Sequence, residues 1–143
     1  MNQENTSLFG TLVEISPQTL VLTKQLLPKA PIFYELPHLT YIELIGDKTL
    51  EFLQGQLTCD IKLVSENAIQ EGGLCNLQGR ILASMYIFYW QQQYGILLRN
   101  DAVNCVQTHF SLAAKFSQVT LKQMTNLQCF GLFIPPNQEN ELN

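Results

Sequence analysis

Apolar positions change period several times along the chain, and each change marks an element. Residues 8–15 alternate as a strand does, Ser16-Pro17-Gln18 reads as a turn, and residues 19–23 return as a second strand. Pro28, Pro31 and Pro37 punctuate a stretch expected to be irregular. Residues 41–45 (YIELI) are β-rich and stop at Gly46. Asp47 is placed to cap a short helix whose apolar side is Leu50, Phe52 and Leu53 and which ends near Gly55. Residues 68–74, 80–90 (RILASMYIFYW) and 94–99 (YGILLR) read as three further strands. The turns between them are Asn76-Leu77-Gln78-Gly79 and Gln91-Gln92-Gln93, which predicts a three-stranded antiparallel meander. Residues 100–116 form the strongest helical pattern, with Val103, Val106, Phe110 and Ala113 at helical spacing and Asn100 or Asp101 as the cap. Residues 119–124 and 128–134 are two more strands, and PPNQENELN reads as a polar tail.

This order predicts an α+β fold, an antiparallel sheet with helices packed on one side. Tight turns between strands exclude a doubly wound parallel sheet. Three regions are expected: residues 1–38 with N-terminal strands and the proline-punctuated segment, 39–134 as the main α+β domain, and 135–143 as tail or linker. No G-x-G-x-x-G or G-K-[ST] string is present, so nothing supports a nucleotide cradle.

Composition narrows the function classes. At 143 residues the chain is long enough for one core. Only 14% of residues are charged and 46% are hydrophobic, a globular profile. A net charge of −4 without any basic block argues against direct nucleic-acid binding. No apolar run is long enough to span a bilayer, and MNQENTSLFG lacks the layout of a secretory signal, so a cytoplasmic location is expected. Cys59, Cys75, Cys105 and Cys129 form no C-x-x-C pair and read as small buried hydrophobes rather than metal ligands. His38 and His109 have no acid–base partner nearby in sequence and read as packing or surface residues.

One stretch asks for more than a core. FLQGQLTCDI (residues 52–61) sets two glutamines around a glycine, then a threonine, a cysteine and an aspartate, among Phe52, Leu53, Leu57 and Ile61. It reads as a half-buried polar bend, with Gly55 allowing the turn and a close backbone approach. Thr58 and Asp60 can hold such a bend closed through backbone amides.

Three pieces in this order, GDKTLEFLQGQLTCDI (46–61), LCNLQGRILASMYIF (74–88) and KFSQVTLKQM (115–124), resemble the N-terminal part of the YgfZ-type folate-binding proteins, relatives of the glycine-cleavage T-protein, an aminomethyltransferase. The resemblance implies a tetrahydrofolate-binding scaffold around a central opening, and a role in iron–sulfur cluster assembly or repair and in tRNA modification. It places Gln54, Gln56 and Thr58 at the edge of that opening. The aminomethyltransferases carry an Asp-Asp pair on the strand after the hairpin glycine. Counted from Gly79, that pair falls on Ala83 and Ser84, so the carboxylate is missing. One-carbon transfer to folate needs a carboxylate by the reacting nitrogen, so aminomethyl transfer is not expected. Ser84 has two readings, a hydrogen-bonding remnant of the site or a solvent-facing serine. Asn100 falls where relatives use an amide against the pterin, and is equally placed to cap the long helix.

The K-G-C-Y-x-G-Q-E motif of YgfZ-type proteins is not in this sequence. The chain therefore reads as a fragment of a longer protein or as a shortened relative, and unpaired strands or apolar faces favour self-association or an iron–sulfur protein partner. The leading expectation is a non-catalytic tetrahydrofolate-binding module. The alternatives are a T-protein-like aminomethyltransferase and a structural or interaction domain without ligand.

Overall fold

The computed structural model describes residues 31–134 throughout, and residues 5–7, 10–16 and 19–22 as strands. The chain divides into two compact units, Met1–Pro37 with Phe130–Asn143, and His38–Cys129.

In the first unit, β1 (Asn5–Ser7), β2 (Gly10–Ser16) and β3 (Thr19–Leu22) form a three-stranded antiparallel sheet in that order. Pro17 and Gln18 of the expected turn, Pro28, and the 135–143 tail lie outside the described residues. The same unit pairs β4 (Ile32–Glu35) with β10 (Phe130–Phe133). The expected irregular stretch thus contains a strand. Pro31 and Pro37 lie just outside it, so neither removes a ladder donor. Its partner is nearly a hundred residues away, which no local pattern discloses.

The second unit holds the main sheet, with all its neighbours antiparallel: β6 (Gln70–Cys75), β7 (Ile81–Trp90), β8 (Gln93–Arg99), β5 (Leu39–Ile45) and β9 (Thr120–Gln123), in that spatial order. The expected meander is its β6–β7–β8 part. Gly79 takes φ +77° at the first turn, as its position requires. The second turn puts Gln91 and Gln92 at φ +51° and +63°, a conformation usual for glycine or asparagine.

Alternation along the strands gives the sheet two faces. Ile42, Leu44, Met85, Ile87, Ile96 and Leu98 point to one face and are buried beneath α1 (Thr49–Gln56) and α2 (Val103–Ser117). The helices meet through Phe52 and Phe110, whose rings lie edge to face with centroids 5.1 Å apart. The α+β arrangement with helices on one side is therefore observed.

The helix caps differ from expectation. Asp47 does not cap α1: Lys48 holds that position without a side-chain bond, and buried Thr49 donates its hydroxyl to the Gly46 carbonyl at 2.6 Å. A 3-10 turn, Asn100–Ala102, precedes α2, and Ala102 takes the cap position without a side-chain bond. Asn100 and Asp101 therefore do not cap it. At its other end Gln118 is left-handed and donates its N–H to the carbonyls of Ala114 and Lys115, turning the chain into β9. Among the described residues, no helix is long and apolar enough to cross a membrane.

Candidate functional site

The FLQGQLTCDI stretch is not one bend. Its first five residues complete α1, because Leu50, Leu53 and Leu57 keep helical spacing and one interior glycine costs a helix only about 1 kcal/mol. Gly55 makes no close backbone approach; a β-carbon there would meet nothing within 4 Å. From Leu57 the chain runs extended along the outer edge of β6. Leu57 bridges Leu74, the Thr58 N–H donates to the Gly73 carbonyl at 3.1 Å, and the Thr58 hydroxyl accepts the Gly73 N–H at 2.9 Å. Asp60 then accepts the Lys62 N–H at 3.1 Å and caps a 3-10 turn, Ile61–Leu63.

Register brings Thr58 and Ser84 together. Gly73 stands opposite Ser84 in the β6–β7 ladder, and a β-carbon on Gly73 would lie 3.5 Å from the Thr58 hydroxyl. Gly73, itself buried, thus lies between two exposed hydroxyl side chains, on the face that the helices do not cover. One place beyond the Met85–Leu98 pair, the same register sets Arg99 beside Ser84. Arg99 forms a two-pronged ion pair with Asp101, at 2.9 and 3.2 Å. The Arg99 hydrogen bonds hold the Asp101 carboxyl below its usual range, and Asp101 raises Arg99 in turn. Thr58, Gly73, Ser84 and Arg99 thus make a polar row across four chain segments.

An aromatic floor adjoins the row. Tyr86 lies opposite Glu71 on one side and Leu97 on the other, and Leu97 lies opposite Tyr41. Tyr86 is 47% exposed. Tyr41 lies across Gly95, where any β-carbon would collide with its ring, and stacks on Phe88 with centroids 5.2 Å apart. Although Tyr41 is only 6% exposed, its hydroxyl has no hydrogen-bond partner among the described residues. Burial, and secondarily the Glu43 carboxylate, push that hydroxyl's pKa up. Glu71 is exposed on this face, diagonal to Ser84 and on the order of 7–8 Å away by sheet geometry. It puts a carboxylate on this face from the neighbouring strand β6.

The other candidates stand elsewhere. Gln54 spends both ends of its amide on its own loop, its oxygen accepting the Ile61 N–H at 2.9 Å and its nitrogen reaching the Cys59 carbonyl at 3.5 Å. Gln56 lines a separate groove of about 450 Å³ with Asn76, Gln78, Cys75 and His109. Asn100 follows Arg99 at the end of β8; its amide oxygen accepts the Thr40 hydroxyl at 2.6 Å and its N–H donates to the His38 carbonyl at 2.9 Å. Ala83, the other position of the expected acid pair, is buried on the helix side, so only Ser84 reaches the open face. Sequence reasoning missed Tyr86, Phe88 and Arg99. The period of two in RILASMYIFYW carries the first two, since Ser84, Tyr86 and Phe88 alternate with buried Ala83, Met85 and Ile87.

The four cysteines are free and half-buried, and burial pushes the Cys59 and Cys129 thiols up, toward the unreactive form. Among the described residues, no group of three or more His, Cys, Asp or Glu is placed to hold a metal ion.

The chain is 27% identical over 117 residues to the tRNA-modifying protein YgfZ of Buchnera aphidicola subsp. Acyrthosiphon pisum (strain APS), a match covering 82% of this chain and 36% of that protein. It is 30% identical over 87 residues to the tRNA-modifying protein YgfZ of Aliivibrio fischeri (strain MJ11), covering 61% of this chain and 27% of the relative. The chain is YgfZ-like. It spans about a third of the length of these YgfZ relatives. Its fold matches that of glycine cleavage system aminomethyltransferase T from Bartonella henselae, with a TM-score of 0.64 over 72% of this chain and 28% of that one, at 15% identity. The YgfZ-like sequence thus takes a T-protein-like fold. No protein-family model matches the chain.

Proposed function

We propose that this YgfZ-like chain contributes one wall of a tetrahydrofolate-binding site and carries out no aminomethyl transfer. The reading is supported above all by the open face of the sheet, where two hydroxyls flank a bare glycine beside an aromatic floor. A flat heteroaromatic ring needs a surface to stack on and hydrogen-bonding groups at its edge. Tyr86 supplies the first, with half-buried Phe88 two residues along on the same face; Thr58 and Ser84 supply the second. The unpartnered Tyr41 hydroxyl fits the same ligand, because a buried donor left without an acceptor costs about 1–3 kcal/mol that a bound polar group offsets. Of the five sequence candidates, Thr58 and Ser84 are assigned to the wall, Asn100 to its end, and Gln54 and Gln56 to loop closure and a neighbouring groove.

Absence of a carboxylate at position 84 is the ground for excluding transfer, Glu71 being on a different strand of that face. The relatives' printed name leads us to place the chain's service in tRNA modification. From the resemblance noted in the sequence we take iron–sulfur proteins as its partners, with self-association as the alternative way of completing the wall. Isothermal titration with a reduced folate tests the reading. Saturable heat that Ser84→Ala and Tyr86→Ala each weaken about tenfold is expected; heat indifferent to both substitutions sinks it. A purely structural role is the second reading, favoured by the Gln54 and Thr58 bonds within the 54–73 segment. It requires that Gln54→Ala and Thr58→Val shift the melting temperature while no ligand is found.

A further inference from the structure

Among the described residues, Tyr41 alone has a buried side-chain polar atom without a hydrogen-bond partner. Folded proteins rarely keep such an atom, and each one calls for a physical reason. Tyr41 leaves β5 opposite Leu97, but its ring leans diagonally across β8 and lies on Gly95. A β-carbon at Gly95 would come within 2.8 Å of the Tyr41 Cε2, Cζ and hydroxyl oxygen alike, so the pose requires that position to be bare. Phe88, opposite Gly95 on β7, closes the far side, its ring centroid 5.2 Å from that of Tyr41 and its plane inclined by 26°. Gly95 as floor and Phe88 as wall make a slot for one flat ring. We infer that this slot is the ring-binding subsite of the open face and that Tyr41 is its resident plug, swinging out when a ligand's heteroaromatic ring enters. The plug presupposes the folate wall and adds to it a way in.

A purely structural account of the pair exists, since an aromatic ring laid over a sheet glycine is a stabilising device in its own right. Phenylalanine would serve that end better. The phenyl part of Tyr41 gains from burial and from its stacked neighbour. Its hydroxyl works against them, having left water and found no acceptor. A cover chosen for stability alone has no use for that atom. A plug has, because the hydroxyl narrows the gap between the closed pose and one in which it regains water. Rotation about χ1 is enough to lift the ring off Gly95 and leaves the β5 ladder untouched. The vacated space is bare backbone beside one aromatic wall, and close-packed proteins do not keep a ring-sized void, so some ring fills it in either state. Charge around the slot is mixed: Glu43 stands opposite Gly95 on β5, and Lys122 stands opposite Glu43 on β9. One charge of each sign suits a neutral ring with polar edges rather than an ion.

Two substitutions of opposite sign decide the matter, in calorimetric titrations of the full chain with a reduced folate. Tyr41→Phe keeps the plug and removes the atom that loosens it, so the binding-competent pose becomes rarer and affinity falls about tenfold. Tyr41→Ala empties the slot, and affinity rises about tenfold. A tyrosine that touches the ligand directly would weaken binding in both variants, and a merely structural cover would change melting temperature and neither affinity. Either result overturns the plug and leaves the folate wall standing. Fluorine NMR of the fluorotyrosine-labelled chain follows the ring itself, with Tyr41→Phe assigning its resonance. Gly95→Ala, whose methyl collides with the ring, provides the swung-out reference without ligand: the Tyr41 signal should move and gain a shift between light and heavy water. Wild type saturated with folate should show the same displaced signal. A Tyr41 resonance that saturating folate leaves unmoved sinks the plug. If neither wild type nor any variant takes up folate, the wall itself fails and the plug fails with it.

Discussion

The two faces of the five-stranded sheet are built from the same strands and serve opposite ends. On the helix side, Ile42, Leu44, Met85, Ile87, Ile96 and Leu98 are shut away beneath α1 and α2. On the other side, one residue along each strand, stand Thr58, Ser84, Tyr86 and Arg99, all exposed. The first face is interchangeable apolar volume, where the free energy of folding resides. The second is a patterned surface whose groups differ in kind and are held at sheet spacing by the rigidity of the first. The difference teaches that a period of two lets one strand carry a buried stabilising face and an exposed polar face at once, with adjacent residues answering to separate demands.

That contrast can be broken from either side. Phe110→Ala, which empties the contact between the helices, is expected to cost about 3–5 kcal/mol in denaturant unfolding. Thr58→Val keeps the shape of its side chain but strips the Gly73 N–H of an acceptor. It should cost about 1–3 kcal/mol, detectable as a lower melting temperature. Tyr41→Phe deletes a buried hydroxyl that has no partner among the described residues, so stability should rise by about 1 kcal/mol while reduced-folate affinity falls. Ser84→Ala and Tyr86→Ala should each move stability by no more than about 0.5 kcal/mol, confining their effect to ligand titration. The Asp101 carboxyl gives the smallest effect. Its pKa is lowered in the fold by Arg99, so the pair's contribution is present above the ordinary carboxylate pKa and is lost as pH falls through the lowered one. Both groups are fully exposed, so Asp101→Asn should alter the acid limb of a stability–pH curve only slightly, and less in high salt.

What could be read from the sequence was local. The meander was legible because β7 alternates cleanly over ten residues and Gly79 marks its first turn. The long helix was legible because Val103, Val106 and Phe110 repeat at helical spacing. Pairings between distant segments were not: β5 lies between β8 and β9, and β4 pairs with β10, through contacts that only the folded chain defines. Caps misled for a related reason. Asp47, Asn100 and Asp101 have the right chemistry for a helix start, yet Thr49 reaches Gly46, Asn100 is engaged by Thr40, and Asp101 by Arg99. Within the candidate site, Ser84 was found by counting along a resemblance, and Thr58 from the polar run after α1. Tyr86 needed only the alternation of β7. Arg99 needed the register of β7 against β8, a two-dimensional fact that a linear pattern does not contain.

Gly73, between Thr58 and Ser84, fixes a parity on the chain. Losing one residue from β7 ahead of Met85 would rotate everything beyond it through half a turn, sending Tyr86 and Phe88 under the helices and Met85 and Ile87 into water. Losing two would leave the inside and outside assignments intact. Homologous chains that keep this surface should therefore differ in length at their loops, or by even steps within these strands.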